Sequence, residues 1–148
     1  MKETVLLQEY IDIYVSAIKY IEDLVSKPTQ EYGLSFEQFL ILQEINTDSS
    51  ISLKDIAAKR HVTRGAISRQ AGVLIKNNYI KQEIDPEDRR RMILHLTETG
   101  RKVVDDLLPK IKTRFESWID AFGEDKAREM LNLMNEFKQK VMIDAGEL

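Results

Sequence analysis

The stretch VTRGAISRQAGVLIKNNYI, residues 62–80, decides how the chain is read. Thr63 is a side-chain N-cap candidate, and Ile67, Ala71 and Leu74 recur at i, i+4 and i+7, so one stripe of a helix turns inward. The opposite stripe holds Gly65, Arg69, Gly72 and Lys76, flanked by Ser68. Glycine costs a helix interior about 1 kcal/mol against alanine, and close approach of another surface is one reason to carry two of them. The neighbouring arginine and lysine point to an anionic surface. Asn77-Asn78-Tyr79 closes the helix, asparagine being the residue best suited after glycine to a left-handed C′ position. An amphipathic helix with a solvated basic face fits the same residues, so the flanking chain has to separate the two readings.

Upstream, Ser52 and Asp55 form an S-x-x-D capping box that opens LKDIAAKR, with Leu53, Ile56 and Ala57 facing inward. Residues 60–62 leave room only for a tight turn. A short helix, a short turn and a longer helix with a basic outer face is the helix-turn-helix arrangement, whose second helix enters the major groove. Downstream the hydrophobic period changes from helical to alternating over residues 80–84. Asp85-Pro86-Glu87-Asp88 is turn chemistry, and residues 92–96 return as a strand. Arg89, Arg90 and Arg91 stand beside the tip of this hairpin, placed for phosphates or a narrow minor groove. A solvated turn with Asp85, Glu87 and Asp88 as partners is the other reading.

The ends are helical by pattern. Residues 3–25 carry Leu7, Tyr10, Tyr14, Ile18, Ile21 and Val25 at steps of three or four, and Leu6, Ile11, Ile13, Val15 and Leu24 widen the stripe. A first helix apolar over so much of its circumference hints at a partner subunit. Lys27-Pro28 is expected to end it, with residues 28–33 as a connection. Ser35 with Gln38 opens a second helix containing Phe36, Phe39, Leu40, Leu42 and Ile45. From Thr97 a long helix runs to about Phe122, with Val104, Leu108, Ile111, Phe115, Trp118 and Phe122 in a heptad-like seam. Pro109 should bend it or mark a junction, and Gly123 ends it. Residues 124–143 form a last helix with Met130, Met134, Phe137 and Val141 along one side.

The 148 residues suit one domain with helical extensions, and 43% hydrophobic content beside 32% charged is ordinary for a folded soluble protein. No run of eighteen apolar residues and no basic-then-apolar leader occurs, so a cytoplasmic location is the expectation. The absence of cysteine removes disulfides and thiolate sites, and His61 and His95 lack metal-binding spacing; no metal or cofactor is expected. The net charge of −3 hides an asymmetry. Residues 52–102 hold 12 Lys and Arg against 6 Asp and Glu, while the remainder holds 10 against 19. A basic middle between acidic ends suits a DNA-reading module on a non-binding scaffold.

The element order, together with DPEDRRRMILHLTETGRKV after the recognition helix, resembles the MarR family of winged helix-turn-helix regulators. Asp85-Pro86-Glu87-Asp88-Arg89-Arg90 followed by Leu96-Thr97-Glu98-Thr99-Gly100 looks like that family's D-x-x-D-x-R and L-T-x-x-G signature, and residues 52–80 fit its bracing and recognition helices. The resemblance implies a mainly α fold with a small β-hairpin wing. Residues 35–98 would form the winged helix-turn-helix domain, flanked by dimerisation helices in 1–34 and 99–148. It places Ser68 and Arg69 at the bases, Thr63 and Arg64 near phosphates, Arg90 in the minor groove and Asp88 as the acid that steadies Arg90. Lys76, Arg89 and Arg91 complete the candidate DNA contacts. Where the family has a glycine after the recognition helix this chain has Asn78, and Gly72 stands where a polar, helix-compatible residue is more usual.

The resemblance further implies a homodimer, usually a repressor, often released by a small anionic or phenolic compound held between the dimer helices and the winged domain. Tyr10, Tyr14, Phe36, Phe39 and Trp118 are candidates to line that pocket, against the alternative that they are core. The function read here is a dimeric, sequence-specific regulator of double-stranded DNA with an inverted-repeat operator. The rival is a protein-interaction or assembly module whose basic strip meets an acidic protein surface. An enzyme has little support, since G-x-S-x-G, P-loop and G-x-G-x-x-G motifs are all missing.

Overall fold

The computed structural model describes residues 2–144 and 146. An N-terminal helical rod comprises α1 (Lys2–Ile13), a π-helical stretch (Tyr14–Ile18) and α2 (Lys19–Gln30). After it come α3 (Phe36–Thr47), α4 (Leu53–Lys59), α5 (Arg64–Lys76), β1 (Ile80–Ile84), β2 (Met92–Leu96), α6 (Glu98–Phe122) and α7 (Glu124–Phe137), the last continued by a π-helical stretch (Lys138–Ile143). No helix among the described residues is long and apolar enough to cross a membrane.

Four helices start where a side-chain oxygen satisfies an orphan N–H. Ser35 and Ser52 form reciprocal boxes with Gln38 and Asp55, Thr63 accepts from the Ala66 N–H, and Thr97 accepts from the Gly100 N–H. The first helix departs from expectation, because α2 passes through Lys27-Pro28 to Gln30. Pro28 cannot donate to the Leu24 carbonyl four residues back. Arg114 of α6 supplies the missing donor, its Nε lying 2.9 Å from the Leu24 oxygen. The loss that should stop a helix is made good from another one. Pro109 likewise lies within an unbroken α6.

One core holds Phe39, Leu42 and Ile45 of α3, Ile56 of α4, Ile67, Ala71 and Leu74 of α5, Ile80 and Leu94 of the hairpin, and Val103, Val104 and Leu107 of α6. The strands pair antiparallel from Ile80 opposite Leu96 to Ile84 opposite Met92. The loop before α4 adds a bridge from Ser52 to Ile93, and the Leu94 N–H donates to the Ile51 carbonyl at 2.9 Å. The hairpin is thereby held along β2 by the loop before α4. Where α6 begins, Thr97 Oγ1 donates to the Asn78 carbonyl at 2.6 Å, and a Cβ on Gly100 would overlap the Tyr79 carbonyl. Glycine is required there by the close approach of two backbones.

Candidate nucleic-acid interface

α5 divides by period as its sequence demands. Ile67, Ala71 and Leu74 are buried, while Thr63, Arg64, Gly65, Ser68, Arg69, Gly72 and Lys76 are exposed. The helix is continuous through Gly72, and no atom of the described residues lies within 4 Å of where a Cβ would stand on Gly65 or Gly72. Nothing among the described residues asks for glycine at either position. The helix closes at Asn78, whose φ of +61° is the left-handed C′ geometry, and the preceding turn holds a second residue of that kind, His61 at +54°. Only the asparagine carried a sequence signal.

Two polar links hold α5 and its brace. Gln38, besides capping α3, donates from Nε2 to Gln70 Oε1 at 2.9 Å, and Arg60 pairs with Glu44 of α3 at 3.3 Å. Both side chains of the latter pair are mostly shielded from water. α5 is thus fastened to α3 at its middle and through the turn that precedes it.

The three wing arginines take different positions. Arg89 is exposed, and the Arg90 side chain is 95% exposed with its Nε 3.5 Å from Asp88 Oδ1. Asp88 Oδ1 also accepts from the Arg90 N–H at 3.0 Å, so one carboxylate oxygen meets both the backbone and the side chain of Arg90. Arg91 turns back instead: its Nη2 lies 2.6 Å from both Asp55 Oδ2 and the Ser50 carbonyl. Sequence grouped it with the free cations because its partners lie 36 and 41 residues away. Burial pushes the Asp55 carboxyl up, but hydrogen bonds from Ser52 and the Arg91 guanidinium outweigh this and hold it below the ordinary carboxylate value. A cleft of about 530 Å³ joins the wing to the entrances of α4 and α5, lined by Lys54, Asp55, Arg64, Asp88, Arg90 and Arg91.

The aromatic candidates do not form one group. Phe39 is core. Phe36 and Trp118 line an apolar cavity of about 340 Å³ with Val25, Pro28, Ile111 and Phe115, beside Arg114, which stands over the Trp118 ring at 5.4 Å. Tyr10 borders a more open hollow against Phe122, Met130 and Met134, and Tyr14 stacks on Tyr10 at 6.3 Å between centroids. Among the described residues no three His, Asp or Glu side chains are grouped to hold a metal.

A family model described as transcriptional regulator SarA/Rot matches residues 23–107. An HTH-type transcriptional regulator of Staphylococcus aureus is 25% identical over 138 residues, 92% of this chain and 92% of its own. Among solved structures, Staphylococcus aureus MarR in complex with salicylate and kanamycin aligns with a TM-score of 0.72 at 22% identity, covering 99% of this chain and 97% of that one. A Staphylococcus aureus MepR–DNA complex aligns with a TM-score of 0.74 at 16% identity, covering 90% and 95%.

Proposed function

The chain belongs to the SarA/Rot family of transcriptional regulators and has the winged-helix fold of MarR-family proteins, and from that premise we propose that it is a dimeric, sequence-specific repressor released by a small anionic or phenolic compound. The observation that carries the reading is the cleft that sets the exposed start of α5 beside the exposed wing arginine, Arg64 and Arg90 lining it together. α5 lies in a major groove, with Ser68 and Arg69 reading base edges and Thr63, Arg64 and Lys76 engaging the backbone. Arg89 and Arg90 reach the adjacent minor groove, Arg90 steadied by Asp88.

In this reading residues 35–98 are the reading module, and 1–34 and 99–148 carry the assembly. What supports a second copy is the apolar surface left uncovered on the ends: Leu6, Tyr10, Met134 and Phe137 are all more than half exposed. The effector occupies the Phe36–Trp118 cavity, where Arg114 offers a cation to an acidic ring compound. It acts by favouring a dimer whose two recognition helices are wrongly spaced for the half-sites.

Selection of random duplex DNA on the purified protein, followed by a salt titration on the enriched pool, tests the proposal. The expected result is an inverted repeat with half-sites about one helical turn apart and a steep log–log salt slope. R69A should then cost about 1–3 kcal/mol and relax choice at one base step. Weak binding indifferent to sequence and salt, in the presence and absence of salicylate, would refute it in favour of a protein-interaction module.

A further inference from the structure

Arg89, Arg90 and Arg91 are consecutive in sequence but divided in space, and we propose that Arg91 and Asp55 form a latch that sets the wing against α4 and α5. Arg91 is then a positioning residue, acting through Arg90, and not a contact to DNA. The proposal rests on the DNA-binding reading above.

The latch has a fixed side and a moving side. On the fixed side, Asp55 is the third residue of α4, and its Oδ2 accepts from the N–H of buried Ser52 at 3.0 Å while also meeting Arg91. Ser50 offers its carbonyl from the same loop. On the moving side, Arg91 is the last residue of the turn before β2. Its N–H donates to the Asp88 carbonyl at 2.9 Å, and its own carbonyl accepts from the Asp85 N–H at 2.9 Å. A guanidinium anchored at this point therefore fixes the frame that presents Arg90. Its Nε is enclosed and without a hydrogen-bond partner among the described residues, so although the side chain is 37% exposed the guanidinium leans back onto the protein.

Charge points the same way. Asp55 and Asp88 both line the cleft that would face phosphates, beside Lys54, Arg64 and Arg90. If Arg91 left for a phosphate, Asp55 would remain as an uncompensated anion near the polyanion. With Arg91 in place Asp55 is neutralised and the cleft stays net positive. A rigid planar guanidinium whose Nη2 meets both acceptors suits this task, whereas lysine supplies a mobile point charge.

Duplex binding by the full-length protein tests the latch. The probe is a 30-base-pair duplex recovered from a random pool by the unmodified chain, with an unselected duplex as reference. R91A and D55N should each weaken binding to the recovered duplex by roughly 2- to 5-fold. The double variant should be no weaker than the worse single one. The salt slope should stay unchanged, and R91K should not rescue. R90A serves as the comparator, lowering the slope by about 1. A slope reduced by about 1 in R91A, restored by R91K, with D55N binding as tightly as the unmodified protein or more so, would overturn the latch and make Arg91 a phosphate contact.

Amide exchange without DNA separates this from the wider reading. Residues 84–92 should exchange faster in R91A and D55N while the α3 and α6 core amides keep their protection. Unchanged wing exchange would overturn the latch whatever the DNA result. If the unmodified chain binds neither duplex, the regulator reading falls, and wing exchange alone then decides the latch.

Discussion

Helices α3 and α1 look alike in sequence and differ in what covers them. Each has twelve residues with a broad apolar stripe, yet α3 buries Phe39, Ile41, Leu42 and Ile45 whereas α1 buries none. α7 buries only Ala127. Leu42 is fully shielded, while Leu6 is 64% and Met134 60% exposed. An apolar stripe records that a helix is to be covered, not whether the cover belongs to the same chain. Twelve large apolar residues from Val5 to Leu24 lie open, more than a lone soluble protein usually shows in one place.

The largest expected effect separates the two regions. Leu42→Ala should cost about 2–5 kcal/mol through transfer and cavity terms, at any protein concentration. Met134→Asp should leave the α3–α6 body folded but remove the dependence of the unfolding midpoint on concentration that a dimer implies. Urea unfolding over a hundredfold range of concentration, paired with sedimentation, reads both. A midpoint of the unmodified protein that does not move with concentration would break the comparison, leaving the ends uncovered by any second copy.

Next in size is Gly100, a demand made wholly inside the body. Gly100→Ala drives a methyl into the Tyr79 carbonyl, and backbone cannot yield as a side chain can. A loss of about 1–3 kcal/mol is expected, read as a lowered thermal midpoint. An unchanged midpoint would mean that the entry of α6 shifts freely against the end of α5.

These two regions also mark where sequence was informative. Ser35, Ser52, Thr63 and Thr97 were legible as caps because each acts on an N–H three residues ahead, and Asn78 because a left-handed C′ has few tenants. The hairpin was legible from its alternation. Pro28 reads as a helix end in sequence because the donor that rescues Leu24 sits on Arg114, 90 residues away. Arg91 reads like its neighbours because Asp55 and Ser50 lie far away in sequence, and Phe39 cannot be told from Phe36 without knowing which one the core encloses. Local chemistry shows in a window of residues, and tertiary rescue does not.

Gly72 sharpens the contrast with Gly100, since its surroundings are open and its helix is regular. Gly72→Ala should stabilise the fold by up to about 1 kcal/mol, because nothing opposes the methyl and the unfolded chain loses freedom. The same methyl should weaken duplex binding if the glycine exists for close approach of DNA. Opposite signs in thermal unfolding and in binding would assign the residue to the outer surface. Gains in both would leave Gly72 without a functional reason.

The smallest effect belongs to Asp55, the partner of Arg91 in the wing's turn. Its carboxyl is held below the ordinary value of 3.8, burial opposing and Ser52 and Arg91 prevailing. A folded pKa below the unfolded one means stabilisation that is complete above 3.8 and disappears as pH falls through the folded value. Because the side chain is 46% exposed, solvent screening discounts the pair, and its worth should stay below about 1 kcal/mol. The difference in unfolding free energy between the unmodified protein and D55N should therefore be flat from neutral pH down to about pH 5 and close below that. Asp48, whose carboxyl is lowered by the Ser50 N–H and hydroxyl, is common to both proteins and cancels. A gap that persists into strong acid would show that the asparagine disturbs packing around Ser52, and that the carboxylate itself contributes nothing to holding the wing.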